Sequence, residues 1–240
     1  MLYLYKNRDD IMEKRVKNFL FFIALFILYA VYSSIIIFIL SKIGININNY
    51  NTHTKNLYLI LIDVSLMLII YLIYRKDTNR ELFKYGRHFG KYFVLGLKMW
   101  LLGIVLMITS NLIINALYPA TTAVNENAVQ AALKEAPIYM AFSACIFAPF
   151  MEEMIFRKSL QKAFKNDTLF IIISGLLFGL AHNINAIGTP NMIYIIPYGL
   201  FGCVFAYTYV KTNDIFVPIT FHMIHNIVLI ITSLLSIGVI

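Results

Sequence analysis

The sequence has little charge and almost no cysteine. Only 13% of its 240 residues are Asp, Glu, Lys or Arg, and two are cysteines. Cys145 and Cys203 both fall inside apolar runs, so neither a disulfide framework nor a CxxC metal site can be built, and packing accounts for them. An HExxH zinc motif is absent, as are internal repeats and low-complexity linkers. The net charge of +8 does not point to nucleic acid, because the basic residues sit in short stretches between apolar runs and form no aromatic-interleaved basic domain.

What fills the chain is apolar: 60% hydrophobic residues, 19 Phe and 16 Tyr, with a mean hydropathy of +0.75. Runs such as NFLFFIALFILYAVYSSIIIFIL exceed the ~20 residues a helix needs to cross a bilayer. The first run, Phe19 to Leu40, follows a basic stretch. It is too long for a signal-peptide core and lacks a small-residue cleavage site, so it reads as a retained span. Seven helices are predicted, at 18–40, 57–74, 93–117, 138–157, 168–187, 192–210 and 215–237. Only helices or closed barrels satisfy backbone polarity in lipid, so the fold class is all-α, a multi-pass transmembrane bundle. Residues 1–137 form an N-terminal three-span part and 138–240 a four-span core. The connector YPATTAVNENAVQAALKEAP reads as solvated, with a short surface helix as the alternative.

Charge bias orients the bundle. With the N-terminus cytoplasmic and the C-terminus outside, sixteen Lys and Arg fall on inner segments (1–17, 75–91, 157–167 and Lys211) and three, Lys42, Lys55 and Lys134, on outer ones.

Ionisable groups inside spans are costly and mark function or a bundle interior. Here they gather late in the chain: Glu152 and Glu153 in APFMEEMIFR, His182 in SGLLFGLAHN, and His222, His225 and Asn226 in TFHMIHN, with Asp63 as an outlier. Glu153 and Arg157 stand at i,i+4 with the acid first, the favourable order for an ion pair. That leaves Glu152 to accept a proton. Pro149 removes a backbone hydrogen bond one turn earlier and predicts a kink with some local hydration near the carboxylates. Phe178 and His182 share a helix face, while Gly175 and Gly179 suit close helix packing. His222 and Asn226, also at i,i+4, present two donors side by side, the arrangement that stabilises an oxyanion. Taken singly, each piece has a plainer reading: an ion pair at a helix end, an interhelical hydrogen bond, a packing contact. His225 reads as a supporting residue.

The order EExxxR, FxxxH, HxxxN on three successive apolar segments resembles the CAAX prenyl protease and bacteriocin-processing family, also called the Abi family. The resemblance covers about residues 138–227. It implies an intramembrane endopeptidase in which Glu152 and His182 activate water, His222 and Asn226 stabilise the oxyanion, and Glu153, Arg157 and Phe178 support the site. The substrate would be a peptide or membrane protein, met in the lipid bilayer. No cofactor is expected, although Glu and His are also zinc ligands, and zinc held by Glu152, His182 and His222 is the alternative. In bacteria the family resemblance points to bacteriocin or signalling-peptide maturation or self-immunity. The rival reading is a non-catalytic sensor, scaffold or immunity protein that binds a partner through the same polar cluster.

One expectation conflicts with another. With the boundaries above, Glu152 lies near the cytoplasmic end of its span, whereas His182 is fourteen residues into the next, ~21 Å at ~1.5 Å per residue. The two share a water only if the fourth helix runs beyond Arg157 or the fifth enters the hydrocarbon late.

Overall fold

The computed structural model describes residues 2–121 and 123–236. The last residue of the predicted seventh span, 237, and residues 238–240 of the four-span core lie outside them. Every regular element among the described residues is helical. Helices α1 (Leu2–Lys42), α2 (Thr52–Arg87) and α3 (Phe89–Leu117) come first. A short α4 (Val124–Glu135) follows, then α5 (Pro137–Ser159), α6 (Asp167–His182), α7 (Ile195–Thr212) and α8 (Phe216–Ser236). Six of these segments are long and apolar enough to cross a membrane.

Several boundaries depart from expectation, α1 starting at Leu2 among them, and three have a clear physical reason. The predicted inner loop at 75–91 is helical, because α2 continues to Arg87 past the end of its apolar run and ends on Lys84 and Arg87, cations that suit the negative end of the helix dipole. The 118–137 connector is not simply solvated: it contains α4, pinned by Leu133 at 0% exposure. The predicted fifth span, 168–187, shortens to a 16-residue helix ending at His182, where Asn183 folds back so that its Nδ2 donates to Gly179 O at 2.9 Å.

Helix α5 is irregular where Pro149 predicts it. Proline has no N–H to give, and the preceding Ala148 N–H reaches back five residues to Ser143 O, opening a wide turn at Ser143–Phe147. A second wide turn, Met154–Ser159, carries Arg157. The helix then continues through Gln161, so Glu152 lies more than two turns inside its end.

Side chains pack in two apolar clusters. One joins α1, α2, α5, α6 and α7 around Leu66, Ile70, Met151, Phe156 and Phe178. The other joins α3, α7 and α8 around Tyr92, Phe201, Phe205 and Phe221. Outward faces of α1–α3 also remain apolar, including Val31, Leu68, Val105 and Leu112, as lipid contact requires.

Helices α6 and α7 approach backbone to backbone through glycine. A Cβ on Gly179 would stand 2.5 Å from Ile195 O and 2.9 Å from Gly199 N, backbone atoms that cannot swing aside. Gly179→Ala is therefore expected to cost about 1–3 kcal/mol of stability and to move His182 with its helix. Gly86→Ala, whose Cβ meets nothing within 4 Å, is the neutral control. Thermal melting of both variants in one detergent checks the pair.

Candidate active site

The polar residues of the last third meet where the two apolar clusters join. Arg157 is the anchor, with 0% of its side chain exposed. Its Nε lies 3.1 Å from Glu153 Oε2, and one Nη donates to Gly202 O at 3.0 Å. Its guanidinium lies over the rings of Phe178 and Phe205, at 4.6 and 5.8 Å. A charge buried this way is tolerated because carboxylate, carbonyl and two π faces replace its water. The pair is thus interior and not an ion pair at a helix end.

Glu153 passes that order on. Its Oε1 stands 2.9 Å from His222 Nδ1. The carboxylate accepts, so Nδ1 carries hydrogen and the Nε2 edge of His222 is turned toward Glu152 Oε2, 3.8 Å away. His182 is held in the same sense. Its Nδ1–H donates to Phe178 O at 3.0 Å, which leaves the lone pair of the neutral ring on Nε2, 3.7 Å from the same Glu152 oxygen. Three groups from α5, α6 and α8 therefore converge; the longer α5 narrows the expected difference in depth between Glu152 and His182, and their 3.7 Å separation removes it.

Phe178 is the packing hub of the site. His182 lies against it at 4.3 Å between centroids, His222 meets it edge-on at 5.8 Å, and Arg157 covers it. Asn226 lies one turn beyond His222. One of its N–H groups is committed to Ala144 O at 2.7 Å, a carbonyl in the first wide turn of α5, and the amide has a second N–H. His225 packs on Phe201 at 4.2 Å. His182, His222, His225 and Asn226 border one cavity of about 220 Å³, and Glu152 is joined to it through the two histidines.

Sequence reasoning missed several partners. Tyr29 on α1 donates from its hydroxyl to Glu152 Oε1 at 3.5 Å, and Tyr198 stacks on His182 at 4.9 Å. Neither of these two tyrosines, among 16 in the chain, carries a spacing signal. Lys158 and Glu81 form a buried pair at 2.7 Å, and Glu81 also accepts the Ile215 N–H at 3.0 Å, tying α2 and α5 to the start of α8. Asp63, which has no partner legible in sequence, accepts from Ser33 at 3.5 Å and is not among the residues lining the cavity.

Comparison with known proteins agrees with the motif reading. Residues 134–228 match the family described as type II CAAX prenyl endopeptidase Rce1-like. That stretch holds every residue of the three motifs. The chain is also similar to the "Putative membrane peptidase YdiL" of Bacillus subtilis (strain 168), 30% identical over 113 residues, 46% of this chain and 43% of that protein. It is 35% identical over 112 residues to the "Membrane-embedded CAAX protease MroQ" of Staphylococcus aureus (strain USA300), 43% of this chain and 42% of that one. The match therefore spans less than half the length of either relative. No solved structure matches.

Proposed function

We propose that the protein is an intramembrane endopeptidase that hydrolyses a peptide bond with a water held between Glu152 and His182. The observation that carries the reading is the convergence of Glu152 Oε2 on the Nε2 atoms of His182 and His222, at 3.7 and 3.8 Å, beside a cavity. Such separations are spanned by one bridging water.

The chemistry follows from the hydrogen-bond partners. The water donates one hydrogen to Glu152 and the other to the Nε2 lone pair of His182, which aims its own lone pair at the substrate carbonyl. As the new C–O bond forms, Glu152 takes the proton and the carbonyl becomes an oxyanion. His222 takes up a proton at Nε2 from solvent before the step, donates it in a hydrogen bond to the oxyanion and keeps it throughout, and Glu153, fixed by Arg157, offsets the charge of the ring. The second N–H of Asn226 is the other donor. Collapse breaks the C–N bond, and Glu152 returns its proton to the leaving nitrogen. The products are a carboxylic acid and an amine, which exchange a proton to leave as carboxylate and ammonium, with no covalent enzyme intermediate.

Glu152, His182 and His222 are also zinc-type donors, for which bonds of ~2.0–2.2 Å are required. Among the described residues, no group of three His, Cys, Asp or Glu side chains is placed to hold a metal ion. The steps above use only proton transfer and hydrogen bonding, so cleavage is expected to survive strong chelators. Loss of cleavage that added zinc restores would contradict this and make those three residues ligands.

The substrates that suit the site are precursor peptides or membrane-anchored proteins, with bacteriocin or signalling-peptide maturation or self-immunity as the biological setting. The orientation that charge bias supports puts the N-terminus in the cytoplasm. A single cysteine at exposed Phe83 should then resist an impermeant thiol reagent in intact cells, and one at exposed Lys134 should react. The reverse pattern would invert the topology. The function itself is tested by challenging purified protein in detergent with quenched fluorogenic peptides, where specific cleavage of a single bond is expected.

A further inference from the structure

Part of the cavity wall comes from α4, outside the three motifs. Its first turn contributes Asn125 and Glu126, followed by Val129, while Met107, Phe201 and Leu229 make the rest largely apolar. Glu126 is the one lining residue with a formal charge, histidines aside. It is exposed at the mouth, and none of the ion pairs among the described residues includes it. Neighbouring atoms nonetheless strip water from its carboxyl and hold its pKa above the ordinary value. A carboxylate in that position gains from a cation brought to it.

This turn is not a loose loop. Asn125 Nδ2 donates to the Tyr198 hydroxyl at 3.4 Å, and the Tyr198 ring stacks on His182. Leu133, near the far end of α4, is completely buried. The residue before Glu126 is thereby linked through Tyr198 to the ring that would position the water. A carboxylate in the first turn also suits the helix dipole, but that contribution does not depend on what occupies the cavity.

We propose that Glu126 is a specificity-determining residue of this site, selecting peptides that carry a Lys or Arg side chain beside an apolar residue at the scissile bond. The apolar walls take the apolar side chain, and Glu126 meets the cation at the mouth. An acidic side chain in the same place would face like charge. The inference rests on the endopeptidase reading and adds the substrate class to it.

The test uses three quenched fluorogenic peptides that differ only in Lys, Gln or Glu next to a bulky apolar residue at the cut bond. They are offered to wild type, Glu126→Gln and Glu126→Lys, with melting temperature recorded for each. Wild type should favour the Lys peptide over the Glu peptide by about tenfold in kcat/KM, mostly through KM. Glu126→Gln should flatten the ratio and Glu126→Lys should reverse it. If Glu126→Lys does not fold, Glu126→Gln decides. The same ratio in every folded variant overturns the proposal while leaving the endopeptidase reading intact. If wild type cleaves none of the three, anisotropy of the labelled peptides on Glu152→Gln protein decides instead. Binding in the order Lys, Gln, Glu that Glu126→Gln abolishes upholds charge selection by Glu126 and overturns only the protease reading on which the scissile bond depends. Equal binding of all three, or none, overturns it.

Discussion

Glu152→Gln is expected to lower turnover by roughly 100-fold or more, the scale of general-base catalysis, with little change in melting temperature. Glutamine keeps the size and the hydrogen-bonding outline but cannot take a proton from water. The hydroxyl of Tyr29 can still donate to the amide oxygen, so the local packing survives. The adjacent Glu153 is the internal control, since it shares the backbone and the apolar surroundings. Glu153→Gln leaves Arg157, fully buried, without its carboxylate, and loosens His222 as well. Removing one partner of a buried pair costs about 3–5 kcal/mol. That variant should therefore lose folded yield and thermal stability together with activity. Measured side by side in one detergent, the pair separates a residue that reacts from one that holds. Near-normal cleavage by Glu152→Gln would refute its role as the base.

The second large effect is expected at α8. His222→Ala removes both the donor offered to the oxyanion and the partner of Glu153, and turnover should fall on the order of 100-fold. His225 lies less than one turn away and borders the same cavity, but its ring packs on Phe201 and none of the ion pairs among the described residues includes it. His225→Ala should be milder, by at least tenfold relative to His222→Ala. Initial rates at saturating peptide check the comparison. Equal losses would place the donor elsewhere on the helix or make α8 packing the cause.

Much of this site is legible in sequence because its chemistry lies on short helical spacings. The i,i+4 pairs Glu153–Arg157, Phe178–His182 and His222–Asn226 each fall within one helix, where spacing alone sets the face. Which helices meet is also visible, since isolated ionisable groups in apolar segments must find one another. The Gly175 and Gly179 pair reads correctly as helix packing, and its partners Gly199 and Gly202 lie on α7.

What escapes is whatever joins distant parts of the chain. Tyr29 reaches Glu152 across 123 residues, and Glu81 reaches Lys158 across 77. No periodicity records such contacts. Helix ends escape for another reason. Apolar composition sets where lipid can be crossed, whereas α2 and α5 run past that limit on backbone hydrogen bonding, and α6 stops where Asn183 caps it. The short amphipathic α4 looks like a connector because its one deeply buried anchor is Leu133, and only the fold shows that its first turn walls the cavity.

The central claim is that Glu152, His182 and His222 form a hydrolytic centre. Its most direct test is product analysis after purified wild-type protein and Glu152→Gln are incubated with a fluorogenic peptide library in ¹⁸O-labelled water. The account predicts cleavage by wild type at defined bonds, with label in the newly formed carboxyl group, and near-complete loss of both in Glu152→Gln. It would be contradicted by folded wild-type protein that cleaves nothing while cells carrying Glu152→Gln or His222→Ala keep their full biological output. That result would assign the polar cluster to partner binding.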